Sequence, residues 1–150
     1  MTAFKDRGVT ALAPVIGSAM TELLSKLDIP HSVTLVIPPK NKSNYRKRGY
    51  HPVQLIAKRL GMPVVSAKAR KAILDQRQLS AEKREENLRG AFYLEGLYGK
   101  QVVVFDDVLT TGATLRELIR ASEEAGAEVI AGCVVARRFP DFAEGNLKKA

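Results

Sequence analysis

The chain contains one cysteine, Cys133, no tryptophan, and an aromatic share of 6% in 150 residues. A lone thiol closes no internal disulfide and builds no cysteine cluster for a metal, so a reducing, cytoplasmic setting is expected. With so few aromatics, the 45% hydrophobic content is carried by aliphatic side chains, the composition of parallel sheets covered by helices. No apolar run approaches the roughly 18 residues that a membrane span requires, so no membrane partner is expected. Lys5 and Arg7 precede an apolar stretch from Val9 to Met20 that has the look of a leader. Pro14, Gly17 and Ser18 interrupt it, and it reads as an ordinary first helix. A Gly-Lys-Ser/Thr phosphate loop is also missing, which excludes that route to nucleotide binding.

Acidic residues are scarce where basic ones crowd. Of a net charge of +8, the stretch from Lys40 to Arg89 holds 14 Lys or Arg against 4 Asp or Glu, a local +10 that leaves −2 for the remainder. Such a stretch suits a nucleic acid, a highly phosphorylated small molecule or a solvated face. Only Tyr45 and Tyr50 stand near its basic loop to stack on single-stranded bases.

What the chain does have is alternation of strand and helix signals. Residues from about Gly8 to Leu27 carry apolar positions at helical spacing (Leu12, Val15, Ile16, Ala19, Leu23, Leu24 and Leu27), with a bend expected near Pro14. Ser32 to Ile37 is a β-branched run stopped by Pro38 and Pro39, as in a buried strand. A basic loop, Lys40 to Tyr50, leads to Pro52, which opens a helix with Val53, Leu55, Ile56 and Leu60 on its apolar side. Weaker signals follow: a short strand near Val64, a charged helical piece from Ala81 to Asn87 with Ser80 as its cap, and an extended segment from Ala91. Val102 to Phe105 then reads as a fully buried central strand. Thr114 to Ala125 is an amphipathic helix closed by Gly126, with Leu115, Leu118 and Ile119 inward and Glu117, Arg120, Glu123 and Glu124 toward solvent. Val129 to Val135 is a last strand. One domain over residues 1–138 with a loose tail over 139–150 is the expected organisation. The expected fold class is α/β, a mostly parallel sheet flanked by helices on both faces, with ligands at the carboxyl ends of its strands.

The loops at that edge carry the chemistry. After the central strand, Thr110, Thr111, Gly112, Ala113 and Thr114 offer successive backbone N–H groups, three hydroxyls, a glycine for tight curvature and a helix N-terminus, together a cup for a phosphate monoester. Asp106 and Asp107 precede the cup, where carboxylates are unwelcome beside a phosphate unless they hold something neutral or cationic. Vicinal ribose hydroxyls and a hydrated Mg²⁺ are such partners, so a sugar phosphate accounts for both halves of the segment. After the other strand, Pro38 to Tyr50 supplies five basic residues and Gly49, surroundings that a pyrophosphate requires.

VVVFDDVLTTGATL resembles the signature of the type I phosphoribosyltransferase superfamily. RGYHPVQLIA from Arg48 and QRQLSAEKREENLRGAF from Gln76, in order with that signature, are similar to the ComF family of competence-associated, phosphoribosyltransferase-like proteins. The resemblance runs from about Gly8 to Arg138. It implies the Rossmann-like superfamily fold with a small flexible-loop segment, binding of 5-phosphoribosyl 1-pyrophosphate (PRPP) with Mg²⁺, and transfer to an acceptor, a nucleobase or an amine. Thr110 to Thr114 would take the 5-phosphate, Asp106 and Asp107 the ribose and metal, and Arg48 with Gly49 the pyrophosphate. Arg84 would reach in from the flexible loop as a catalytic group. A homodimer is also implied. Three departures stand out: the cysteine-rich zinc module of many ComF proteins is missing, His51 and Pro52 replace a usual Asn-Gln pair, and Thr110 replaces the acid of purine-salvage members. Two other readings stay open, a DNA-uptake or nucleic-acid-associated protein and a PRPP-sensing regulator without turnover.

Overall fold

The computed structural model of the chain describes residues 12–41, 45–46, 49–70 and 81–138, with Ala81, Glu82 and Arg84 by their backbone alone. Four strands form a parallel sheet: β1 (Thr34–Ile37), β2 (Val64–Ser66), β5 (Gln101–Leu109) and β6 (Glu128–Arg137), in the order β2-β1-β5-β6. Leu35 registers with Val64 on one side and Val103 on the other, and Phe105 with Cys133. β3 (Lys68–Ala69) and β4 (Phe92–Tyr93) form a separate antiparallel pair.

Side-chain alternation along β5 divides the core in two. Val103 and Phe105 join the cluster under α1 (Leu12–Lys26) and α2 (Pro52–Ala57), which includes Met20, Leu24, Ile37 and Ile56. Val102 and Val104 face the opposite cluster with Leu88, Phe92, Leu97 and Leu118, beneath α3 (Ala81–Leu88) and α4 (Ala113–Glu124). Val102 to Phe105 are each 0% exposed, as a strand covered on both faces must be. The expected α/β architecture is therefore present.

Three expectations change. The apolar arc of α1 is wider than one face, and the sheet takes its other half: Ala13, Gly17, Met20 and Leu24 are buried, whereas Val15 and Leu23 are 68% and 43% exposed. β5 does not end at Phe105 but continues through both aspartates to Leu109, because β6 pairs with it as far as Arg137. Glu117, expected in solvent, is 5% exposed. Its carboxylate accepts from Gly90 N at 3.1 Å and Phe92 N at 2.9 Å, and Arg120 pairs with it at 2.8 Å. Arg120 also donates to Phe92 O and contacts Glu124, which holds Arg70. This chain of charges fastens the small sheet to α4. The tail at 139–150 lies outside the described residues.

Candidate functional site

Asp106 and Asp107 lie inside β5, near the carboxyl end of the sheet, and are 8% and 4% exposed. Alternation sends Asp106 to the α4 side with Val102 and Val104, and Asp107 to the α2 side with Val103 and Phe105. Asp107 N donates to Asp106 Oδ1 at 2.8 Å, tying the two positions together. Both line a cleft of about 140 Å³ whose other wall is the loop after β1, including Pro38, Lys40, Tyr50 and His51. The loops after β1 and β5 thus meet at one edge, as the topology demands.

Two further strand residues, Val108 and Leu109, carry the chain from the aspartates to Thr110. Gly112 takes φ 79° and ψ 0° as the N-cap of α4, a left-handed conformation that glycine adopts without penalty. Thr111 Oγ1 accepts from Ala113 N at 3.3 Å, and the first intrahelical bond runs from Arg116 N to Gly112 O. The amides of Thr114 and Leu115 precede that bond and point out of the helix end, where an anion is favoured. Gly112 and the first turn of α4 thus present these amides at the strand-to-helix turn.

On the opposite wall, Lys40 Nζ stacks 2.9 Å from the ring centre of Tyr45. Gly49, at φ 76°, donates its N–H to Tyr45 O at 2.8 Å and sits beside Tyr50 at the lip of the cleft. Arg48 lies outside the described residues, and so do Lys42 and Lys47; of Arg84 only the backbone, in α3, is described. His51 is the N-cap of α2: its Nδ1 accepts from Gln54 N at 3.2 Å, with Pro52 in the first turn. Burial lowers the His51 pKa from its usual 6.5, outweighing the Pro39 and Pro38 carbonyls and the Asp107 charge that favour protonation. His51 is therefore neutral at pH 7. A histidine held neutral only in the folded state favours folding above its unfolded pKa, and that contribution is lost as pH falls below 6.5 toward the folded value. Urea midpoints of the native protein and His51→Asn, which retains a capping side chain, are expected to diverge less at pH 7.5 than at pH 5.5, where the native protein loses more. Parallel pH profiles would refute this.

One residue near the cup carried no signal in the sequence. Arg116, on the first turn of α4, donates through Nη1 to Thr111 O at 3.1 Å and pairs through Nη2 with Glu85 of α3 at 3.1 Å. Elsewhere in the basic stretch, Lys68 and Arg70 pair with Glu95 and Glu124, so part of its charge is locally balanced. No helix among the described residues is long and apolar enough to cross a membrane. No group of three or more His, Cys, Asp or Glu among the described residues could hold a metal by protein ligands alone.

A β5–turn–α4 unit of this form, with paired acids before the turn, marks a phosphoribosyl transferase domain, and the model of that domain matches residues 13–142. The chain belongs to the phosphoribosyl transferase domain family. Its likeness extends to ComF proteins: it is 33% identical to competence protein F of Haemophilus influenzae, over 70% of this chain and 49% of that one. It is 26% identical to competence protein ComFC of Streptococcus pneumoniae, over 83% of this chain and 56% of that one. The chain thus spans about half the length of these curated relatives. Among solved structures, adenine phosphoribosyltransferase of Saccharomyces cerevisiae superposes with a TM-score of 0.54 at 15% identity, covering 92% of this chain and 73% of that one. That likeness establishes the type I phosphoribosyltransferase fold.

Proposed function

We propose that the chain binds PRPP across the carboxyl edge of its sheet and transfers the phosphoribosyl group to a nitrogen nucleophile, a nucleobase or an amine, with release of pyrophosphate. The observation that carries this is the buried Asp106–Asp107 pair leading along one strand into the Gly112 turn, in a chain of the phosphoribosyl transferase family. The amides of the Thr110–Thr114 segment receive the 5-phosphate, and the aspartates receive the ribose hydroxyls. Gly49 borders the pyrophosphate, and the family resemblance assigns Arg48 and Arg84 to the same anion. With no group of three or more metal-ligating side chains among the described residues, Asp106 and Asp107 would suit a hydrated Mg²⁺ that comes with the ligand rather than a metal held in a protein cage. Held by Asp106 and Asp107, the metal would supply charge neutralisation to the leaving pyrophosphate.

In the transfer, the acceptor nitrogen bonds to the anomeric carbon as the bond from that carbon to the pyrophosphate oxygen breaks, and the electron pair leaves with pyrophosphate. The residues contribute position and electrostatics. Thr110 supplies no carboxylate to take a proton from the acceptor, which favours a nucleophile whose lone pair is already free and whose proton, where it carries one, passes to solvent after the new bond forms. Calorimetric titration with PRPP and Mg²⁺ is expected to give saturable heat at 1:1. Pyrophosphate release screened over bases and amines is expected to identify an acceptor. Absence of heat from the native protein would defeat the binding reading, and binding without release across the panel would leave a PRPP-binding protein rather than a transferase.

A further inference from the structure

Arg116 makes two contacts of different kinds with one planar group. Nη1 reaches back to Thr111 O at 3.1 Å, and Nη2 pairs with Glu85 at 3.1 Å. A Cβ built on Gly112 would stand 3.0 Å from Nη1, so the guanidinium lies directly against the glycine. The Thr111–Gly112 peptide is trans, and in a trans peptide the C=O and the following N–H point in opposite directions. A donor that holds Thr111 O therefore also sets the direction of the Gly112 N–H, one of the donors assigned above to the phosphate cup. Glu85 lies in α3, whose later residue Leu88 is 1% exposed in the core beneath α4, and Glu117 fastens the Gly90–Phe92 backbone that follows. The base of this segment is thus pinned by buried bonds, whereas its middle is held to α4 by an exposed arginine.

We infer that Arg116 is a positioning residue that ties the phosphate cup to α3, so that the orientation of the Gly112 amide and the docking of α3 stand or fall together. The inference rests on the PRPP reading of the cup. A forked guanidinium can satisfy both ends at once, and a lysine ammonium on the same stem cannot, because it is a compact charge without two parallel donor edges. When a phosphate fills the cup, the amide that Arg116 orients becomes bonded, the turn stiffens, and α3 is held by a guanidinium with less freedom to leave Glu85. The consequence is that a sugar phosphate alone, without pyrophosphate, tightens α3.

The test combines hydrogen exchange with affinity for ribose 5-phosphate, using the native protein, Arg116→Ala, Arg116→Lys and Glu85→Gln. Without ligand, Arg116→Ala is expected to speed exchange of the α3 amides by up to about 5-fold, the range for loss of one exposed ion pair. Ribose 5-phosphate binding should weaken by about 3- to 10-fold, and ligand should no longer slow exchange in α3. Arg116→Lys should not restore both effects, and Glu85→Gln should loosen α3 while weakening the ligand less than Arg116→Ala does. Unchanged α3 exchange in Arg116→Ala would overturn the tie, and so would ligand-induced protection equal to that of the native protein. A native protein that binds neither ribose 5-phosphate nor PRPP would instead overturn the reading of the cup, while the ligand-free exchange comparison still decides whether Arg116 holds α3.

Discussion

Replacing Asp106 and Asp107 together by asparagine is expected to weaken binding of PRPP with Mg²⁺ by at least about 100-fold, and that of metal-free ribose 5-phosphate, which offers the same ribose hydroxyls but no metal, by less. Two hydrogen bonds to charged acceptors are each worth about 1.5–3 kcal/mol, and about 1.4 kcal/mol corresponds to a factor of ten. Losing both therefore exceeds two decades. The backbone survives the change, because an asparagine oxygen at position 106 can still accept from the amide of residue 107, now at 2.8 Å. The side chains are nearly isosteric, and both sites are less than a tenth exposed. Removing two negative charges from the approach to the phosphate cup also lowers repulsion of the ligand, which opposes any loss for a bare sugar phosphate. Calorimetry with the two ligands checks the prediction. Equal affinity of the double variant and the native protein for PRPP with Mg²⁺ would remove the aspartates from the site, and equal losses for both ligands would confine the aspartates to the ribose hydroxyls, with no part in holding the metal.

The elements that position these aspartates were legible because each carries a one-dimensional signal. Val102 to Phe105 is a bare aliphatic-aromatic run, and only a strand covered on both faces accommodates one of that length. Gly112 stands where a strand must turn into a helix, and its left-handed φ of 79° is the conformation for which glycine is chosen. The length of β5 was not legible, since Asp106 and Asp107 look like the end of a strand unless the pairing partner is known. β6 supplies that partner as far as Arg137. On α1 the periodicity identified a helix but not its buried half. That half is selected by close approach at a small residue: a Cβ on Gly17 would stand 2.7 Å from Arg59 Cβ, so the helix packs there, and Val15 is left to solvent. β3 was missed for a simpler reason, because two residues carry no periodicity. Arg116 and Glu117 were missed because charged side chains on an amphipathic helix are assigned to water by default. A signal for Glu117 did exist, since it lies four residues from both Ala113 and Ala121, and these are 5% and 1% exposed.

That position makes Glu117 the residue whose loss should cost the fold most among the charged groups described. Burial by itself would raise the carboxyl pKa, but hydrogen bonds from Arg120 and from the Phe92 and Gly90 amides outweigh it and hold the group below its usual 4.5. Glu117→Ala leaves two backbone N–H groups without their acceptor and Arg120 without its closest partner. Unsatisfied buried groups cost about 1–3 kcal/mol each, with Arg120 partly rescued by water because it is 35% exposed. A destabilisation of about 2–4 kcal/mol is expected, equivalent to a fall in Tm on the order of 10 °C for a chain of this size. Glu124→Gln breaks the ion pairs to Arg120 on the same helix and to Arg70 after β3, yet should cost under about 1 kcal/mol, because both of those pairs are exposed. The pH dependence has a definite sign. A carboxyl whose folded pKa is depressed contributes stability above its unfolded pKa and loses it as pH falls through the folded value. The gap in urea midpoint between the native protein and Glu117→Gln should therefore be full at pH 6 and narrow below pH 4.5. A gap that does not change with pH would show that packing, rather than the charge, fastens the small sheet to α4. A Glu117→Ala protein as stable as Glu124→Gln would show that the buried network carries no more weight than its exposed extension.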